Sequence, residues 1–314
     1  LNTTAVDLDL GTGGWHFVMA NLDSPSDPQP PVDTPGHIMK LRYTPNQVKV
    51  LSAEEPDSPY HGLLQKVVSL EGTPVICCSL HSMLPGAATG VKAFDCQLKT
   101  VYVMTDGAAL PISFSKLVNT LTCEGLINGT VTTGHSFGGD LECVNIYSGL
   151  LAAKAIMKAD VIIVSMGPGI VGTNTPYGFS GMEQAEIIHA ANALGGCPIA
   201  VPRLSFADPR ERHRGLSHHS RTVLGTATLV SSYVSLPEME ETKEKTILDQ
   251  MKQCGIVPRH EILLEDGWPG LNMLERMGIK VTTMGRSIDE ELEFFLASSC
   301  GGTIAAKIAR GVSL

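Results

Sequence analysis

The sequence predicts an α/β protein, a mostly parallel sheet with helices on both faces, preceded by a small β domain. Short apolar runs alternate with helix-like stretches from residue 58 onward, a pattern typical of parallel strands joined by crossover helices. The 32 glycines supply the tight turns that such a fold needs between strands and helices. We therefore assign residues 1–56 to the β domain and residues 57–314 to the α/β domain.

The first 56 residues alternate in the manner of β-strands. Residues 5–21 predict a hairpin around the turn at 11–14, and a proline-rich loop separates it from a second strand pair near 37–43 and 47–54. Because the chain begins at Leu1 within this β pattern, we expect the β domain to be incomplete at its N-terminus.

The α/β region divides into alternating strands and helices. The predicted strands are 74–80, 100–105, 129–134, 160–166, 197–203, 226–235, 261–265 and 279–284. The predicted helices are 58–70, 111–124, 141–158, 181–194, 216–224, 240–254, 270–277 and 287–298.

Composition argues against several classes of protein. A formal net charge of -9 does not suit a general nucleic-acid surface, which needs clustered lysines and arginines. No segment approaches the ~18 consecutive apolar residues of a membrane helix. The eight cysteines contain no C-x-x-C pair, so they indicate reduced thiols and a cytoplasmic protein. We expect a homodimer only because two-fold dimers are the commonest oligomers.

The carboxyl ends of the predicted strands carry polar and glycine residues. Because open α/β sheets bind ligands at this edge, these residues predict a polar ligand pocket. The expected ligand contacts are Asp106, Gly167, Gly169, Gly172, Thr173, Asn174 and Arg203. A small anion, bearing phosphate or carboxylate, suits the loop amides and Arg203.

Five segments of the chain carry a family resemblance. They read LNTTAVDLDLGTGGWHFVMANL, MTDGAALP, GHSFGGDLECVN, MGPGIVGTNTPYGFSG and RLSFADPRERHRGLSHHS. In these segments the chain resembles the bacterial family described as domain of unknown function 3866. The resemblance extends through at least residue 221 and implies a cytosolic bacterial protein, without implying an activity.

Residues 134–138 match G-x-S-x-G, the turn that exposes a nucleophilic serine between a strand and a helix. A serine hydrolase would use Ser136, with Asp208 and His213 as acid and base in the usual chain order. The strand before this turn is polar, however, where a central strand is expected to be apolar. His135 and Asp140 are further acid–base candidates beside the serine.

Residues 167–172 fit the dinucleotide pattern G-x-G-x-x-G after a convincing strand. No helix follows at once, because residues 173–181 contain Pro176 and further glycines. The pyrophosphate anchor of a dinucleotide site is therefore missing. The alternatives are a glycine-rich loop that wraps a small anion with its backbone amides and a mobile structural lid.

The basic run from Arg203 to Arg221 is also rich in histidine. Its imidazoles, together with a carboxylate, are ligand types that divalent metals accept, although their spacing matches no common metal motif. The candidate metal ligands are His213, His218, His219 and Asp208. A hydrogen-bonded loop cluster is the alternative.

Three functions compete on this sequence. The favoured one is an enzyme or metabolite-binding protein that holds a small anionic ligand at the carboxyl edge of the sheet. The alternatives are a serine hydrolase using Ser136 and a non-catalytic scaffold or regulatory module. Whether the protein is an enzyme, and whether it needs a divalent metal, stays open at this point.

Overall fold

The computed structural model describes residue 7 and residues 35–44, 47–107 and 109–314. The predicted hairpin at 5–21 lies outside the described residues, except for Asp7. Within the described part, Ile38–Lys40 (β1) and Val48–Val50 (β2) pair antiparallel. This pairing confirms the second predicted strand pair, at shorter length.

The main sheet contains eight parallel strands in the order β12-β11-β8-β3-β7-β4-β5-β6. Its strands are β3 (Pro74–Cys78), β4 (Thr100–Thr105), β5 (Gly129–Thr132), β6 (Leu141–Glu142), β7 (Val161–Met166), β8 (Cys197–Val201), β11 (Tyr233–Pro237) and β12 (Glu261–Glu265). The small pair β9 (Leu204–Ser205) and β10 (Gly215–Leu216) is antiparallel. The predicted fold class is therefore confirmed.

Helices cover both faces of the sheet. They are α1 (His61–Leu64), α2 (Leu84–Phe94), α3 (Lys116–Cys123), α4 (Ile146–Ala155), α5 (Glu183–Ala193), α6 (His218–Thr222), α7 (Glu241–Gln253), α8 (Trp268–Arg276) and α9 (Leu292–Ala309). α2, α8 and α9 pack on one another, and α4 packs on α5. Every residue of β3, β4 and β7 is buried, as expected for central strands covered on both sides.

Small residues let α2 and α9 approach each other closely. A Cβ atom added at Gly90 would lie 2.1 Å from the Ser299 carbonyl oxygen, and one added at Gly302 would lie 2.2 Å from that of Ala87. Neither position can hold a larger residue without moving the helices apart. The run of small residues in α9 is therefore a packing surface, although its two glycines by themselves disfavour a helix.

The segment that carries β1 and β2 is docked on the edge of the main sheet. The buried Lys40 amine donates to two backbone carbonyls within 136–143, at 3.0 and 3.2 Å, and pairs with Glu142 at 3.3 Å. Ser52 forms a parallel bridge with Glu142, and the Ala53 N–H donates to the Glu142 carbonyl at 2.8 Å. The segment thus covers the outer side of β6.

Several predicted elements differ from the structure. The predicted strand 226–235 is observed at Tyr233–Pro237, and the predicted helix 58–70 is limited to His61–Leu64. Residues 279–284 form no strand; Ile279 and Val281 are buried, but as part of a loop that packs on the core. The predicted helix 141–158 begins only at Ile146, because Asn145 caps it and β6 occupies the residues before. The last helix runs over Leu292–Ala309 instead of 287–298.

Candidate functional site

The carboxyl ends of β3 and β7 lie in the middle of the sheet, at a place that we call the central crevice because its topology is the one that opens a crevice in α/β sheets. β3 leads through α2 to β4, whereas β7 leads through α5 to β8 on the other side of β3. Because such crossovers are right-handed, α2 and α5 lie on opposite faces. The crevice is therefore the switch point at which α/β sheets commonly bind ligands.

His81 follows β3 and lies in this crevice. Its Nε2 is 2.7 Å from the Ser115 hydroxyl, and its Nδ1 is 3.3 Å from the Met166 carbonyl and 3.2 Å from the Tyr102 hydroxyl. Burial lowers the pKa of His81 to about 4, with the Met166 carbonyl acting in the opposite direction. Both ring nitrogens are occupied, so the neutral imidazole, which follows β3, is linked to Tyr102 in β4, to the end of β7 and to the cap of α3.

Glu183, the first residue of α5, lies in the same region. A Cβ at Gly107 would lie 3.0 Å from Glu183 Oε2. This oxygen and the Thr105 hydroxyl are both buried. Burial raises the pKa of Glu183 to about 7; the hydrogen bond with the Thr105 side chain opposes this shift, and the charge of Asp106 adds to it. Nothing in the sequence marks this residue beyond its position near the start of a predicted helix.

The predicted nucleophile Ser136 lies beside the end of β4. Its hydroxyl donates to the Thr105 carbonyl at 2.8 Å, and the residue is 1% exposed. His135 turns away from it and accepts from the Leu41 N–H through Nδ1 at 3.1 Å, while the His135 N–H donates to Asp106 at 3.2 Å. No described imidazole contacts the Ser136 hydroxyl, and these contacts hold the turn in place.

Asp140 directly precedes β6, and its side chain contacts Thr130 in β5. One carboxylate oxygen accepts from the Thr130 N–H and the Thr130 hydroxyl, at 2.8 and 2.9 Å. The Thr130 hydroxyl in turn accepts from the Asp140 N–H at 3.0 Å. These bonds explain why β5 is polar although its residues are buried, and they give Asp140 a structural position.

The glycine-rich loop folds into a narrow hairpin. Gly172 and Phe179 form an antiparallel bridge, the Thr173 N–H donates to the Gly178 carbonyl at 2.8 Å, and Asn174 takes a left-handed conformation with φ 61°. Gly167 and Gly169 precede it, at the end of β7. The predicted loop contacts thus belong to one structural unit, whose tip is exposed.

His213, His218 and His219 come together in a compact cluster, which we call the histidine cluster. Each offers a ligand nitrogen, and these atoms all lie within 4.8 Å of one another. The ring centroids of His218 and His219 are 4.3 Å apart, and those of His213 lie 4.9 and 5.1 Å from them. The sequence predicted all three as metal ligands.

Local structure explains why these histidines converge. The β9–β10 pair closes the loop that carries His213. Ser217 caps α6 by accepting from the His219 N–H, which sets His218 and His219 in its first turn. The Ser217 hydroxyl also lies 2.7 Å from His213 Nδ1 and so leaves Nε2 of that ring free. Ser217 went unnoticed in the sequence, although serine before two histidines is an N-cap signal.

The histidine cluster lies against the glycine-rich hairpin. The Phe179 ring stacks on His219 with centroids 3.9 Å apart and planes 8° from parallel. A Cβ at Gly172 would lie 3.8 Å from His219 Nε2 and 3.6 Å from the Phe179 Cβ. Two features predicted separately, the loop and the histidines, therefore share one site. Phe179 was not predicted, because nothing in the sequence shows the stacking.

Burial lowers the pKa of all three histidines. It lowers the pKa of His213 to about 3, with Arg203 adding to the effect, and the pKa of His219 to about 3, with His218 adding to it. The pKa of His218 is lowered by burial and then by the charge of Arg212. The rings are therefore neutral at physiological pH, which is the form that binds metals.

Asp208 is held by guanidinium groups and is not part of the histidine cluster. Arg210 binds it at 2.7 and 2.9 Å, Arg286 at 3.1 Å and the buried Arg203 at 3.5 Å. The hydrogen bonds from Arg210 hold the pKa of Asp208 well below its usual range. Asp208 was also predicted as a metal ligand and as a proton carrier; in the structure both of its oxygens accept from guanidinium groups.

Arg203 is turned inward. Burial lowers the pKa of this arginine to about 10, and Asp208 opposes the shift. The side chain is 4% exposed, so it acts through its charge on the histidine cluster and not as an open ligand contact.

Comparison with known proteins gives one match. No helix of the described residues has both the length and the apolar character needed to cross a membrane. No curated protein and no solved structure matches the chain significantly. One family profile does match, over residues 1–302, which is nearly the whole sequence. The chain therefore belongs to the family described as protein of unknown function (DUF3866).

Proposed function

We propose that the protein is a metal-dependent enzyme whose centre is a divalent transition metal, zinc in the first instance, held by the histidine cluster. The observation that supports this function is the convergence of three neutral imidazoles. Nothing else occupies them: the ring nitrogens of His218 and His219 make no hydrogen bond with any described residue, and His213 uses only Nδ1. Such a set is suited to zinc, copper or nickel.

The geometry fits a tetrahedral ion. The ligand nitrogens lie within 4.8 Å of one another, and those of a tetrahedral zinc ion stand about 3.4 Å apart, so small ring rotations suffice. With Nε2 of His213 on the metal, its Nδ1–H donates to Ser217 and fixes the ring, as is usual for metal-bound histidines. Stacking on Phe179 fixes the His219 ring.

Three protein ligands point to catalysis. Structural zinc sites are closed by four protein ligands, whereas catalytic sites keep the fourth position for water or substrate. A zinc-type ion bound in this way supplies hydroxide near neutral pH for hydrolytic reactions. Gly172 leaves space beside His219 Nε2, and the hairpin around it shields that space from one side.

The test is metal binding by the whole chain. Metal-free protein is titrated with Co²⁺, and the expected result is one equivalent bound with the intense visible bands of a tetrahedral site. Each of His213→Ala, His218→Ala and His219→Ala should remove these bands. His189→Ala is the control, because His189 Nε2 accepts from the Leu229 N–H at 2.9 Å and belongs to no cluster.

Activity is the second readout. We expect turnover of small ester or phosphate-ester substrates that a chelator removes and Zn²⁺ restores. The proposed function fails if folded protein binds no divalent ion, or if substitutions in the histidine cluster leave binding as in His189→Ala.

A further inference from the structure

The Phe179 ring joins the glycine-rich hairpin to the histidine cluster. Residues 171–177 are all exposed, whereas Phe179 is 6% exposed. In the part of the chain that the structure describes, every hydrogen bond of residues 171–179 has its partner within residues 171–182. The contact with the cluster is made by the ring, which stacks on His219 and meets His218 edge-on with centroids 5.8 Å apart.

The stack on His219 is closer than two uncharged rings prefer. Its centroids are 3.9 Å apart and its planes are 8° from parallel. Uncharged aromatic rings favour offset or edge-to-face arrangements with centroids about 4.5–7 Å apart, because the negative faces of their π-systems repel each other. A close parallel stack becomes favourable when one of the two rings is electron-poor. The imidazole of His219 becomes electron-poor when a divalent metal binds its nitrogen.

The stack leaves the metal-binding edge of the same imidazole open. A metal lies in the plane of the ring that binds it, whereas Phe179 covers a face of His219. Gly172 lies at the edge, since a Cβ there would be 3.8 Å from His219 Nε2. The closed hairpin therefore puts an aromatic ring on the face of His219 and a glycine beside the nitrogen that the metal needs.

We propose that metal binding to the histidine cluster locks the hairpin 171–180 closed through the stack of Phe179 on His219. This inference rests on the proposed function and concerns the regulation of the same site. Without metal the stack is weaker, so the hairpin opens more often and admits the ion. Because such coupling is reciprocal, the factor by which the metal favours closure is also the factor by which the stack favours the metal. Phe179 is thus a positioning residue for the metal centre.

Fluorination of the Phe179 ring tests the electronic part of the proposal. Fluorine withdraws electron density from the ring face and changes the shape of the side chain little. Phenylalanine with one, two or three fluorine atoms is incorporated at position 179 of the whole chain, and zinc affinity is measured by competition with a chromogenic chelator. Affinity should fall with each added fluorine, by about fivefold to tenfold in total. Phe294 is the control position, since it is buried, packs edge-on against Phe295 and stacks on none of the three histidines.

Amide hydrogen exchange tests the closure of the hairpin. Zinc should slow exchange in residues 171–180, where the Thr173 N–H donates to the Gly178 carbonyl. Phe179→Leu keeps an apolar side chain but removes the ring, so it should lose most of this protection and bind zinc about fivefold to tenfold more weakly. Phe179→Tyr keeps the ring and should restore both properties. Circular dichroism confirms that each variant is folded.

The outcomes separate this inference from the metal centre. A fluorine trend at position 179, none at position 294 and zinc-dependent protection of the hairpin together support the inference. Tight zinc binding that lacks either the fluorine trend or the protection overturns it and leaves the metal centre standing. Absence of zinc binding in folded wild-type protein overturns the metal centre and the inference with it.

Discussion

The two histidine-bearing regions at the carboxyl edge differ in how their imidazoles are used. In the central crevice, both ring nitrogens of His81 make hydrogen-bond contacts, with the Ser115 hydroxyl, the Met166 carbonyl and the Tyr102 hydroxyl. In the histidine cluster, His218 and His219 keep theirs free of described partners. Both regions bury neutral rings, so a lowered pKa does not by itself mark a binding site. The nitrogens of His218 and His219 distinguish the cluster, because they converge with that of His213 and remain available to a ligand.

The largest expected effect comes from filling the space next to His219. Gly172→Val should weaken zinc binding by about a hundredfold, because its side chain enters the volume beside Nε2 that the metal and its fourth ligand need. Gly172→Ala is the graded control, since its Cβ would meet its neighbours at 3.6 and 3.8 Å, which are ordinary contacts. Chelator competition measures the affinity and circular dichroism the fold. Unchanged affinity in folded Gly172→Val would place the metal elsewhere.

The second effect concerns His81 in the central crevice. His81→Ala should destabilise the protein by about 2–3 kcal/mol, because it leaves buried polar partners unsatisfied, and it should not change zinc affinity. Wild-type stability should also fall as pH decreases from 6.5 through 4, since the folded pKa of His81 lies at about 4 and the unfolded one near 6.5. Denaturant unfolding measured across this pH range should show a smaller loss of unfolding free energy at acid pH in His81→Ala than in the wild type. A loss of zinc binding in His81→Ala would unite the two regions into one site.

Glu183 provides a pH effect of opposite sign. Its folded pKa, about 7, is above the unfolded value, so the stability it contributes is complete below pH 4.5 and is lost as pH rises through 7. Glu183→Gln should therefore be about 2 kcal/mol less sensitive to pH over this range than the wild type. Urea unfolding at pH 5 and pH 8 measures the difference. An equal change in unfolding free energy between pH 5 and pH 8 in Glu183→Gln and in the wild type would contradict the burial of this carboxyl group.

The smallest effect concerns the predicted nucleophile. Ser136→Ala should cost about 1 kcal/mol, since it removes one buried hydrogen bond to a backbone carbonyl, and it should leave any activity intact. Thermal unfolding and turnover are measured on the same samples. Covalent labelling by a fluorophosphonate that depends on Ser136 would revive the serine-hydrolase alternative.

Prediction from sequence succeeded where local pattern determines structure. The strands 100–105 and 261–265 have the predicted bounds, and the buried central strands follow from continuous apolar runs. It failed at 279–284, where apolar residues pack as a loop, and at the end of α9, where the small residues beyond 298 are explained only by close contact with α2. Local pattern carries no information about such partners.

The candidate site was predictable where its residues lie close together in the sequence. His213, His218 and His219 stand close in sequence, and a capped helix with a short loop is enough to bring them together. Asp208, which the sequence grouped with these histidines, is bonded instead by arginines that include Arg286, 78 residues further along the chain, and no local pattern shows that contact. Stacking by Phe179 also depends on a distant contact.

The docking of residues 35–58 on β6 affects how the molecule avoids aggregation. β6 is only two residues long, and Ser52 and Ala53 occupy the hydrogen-bonding groups on its outer side. A sheet edge with unpaired amides and carbonyls is a template for strand addition by another chain. Displacing this segment would expose that template and, at the same time, leave Glu142 without its buried lysine. Proteolysis near residue 58 should therefore yield a core that self-associates through its sheet.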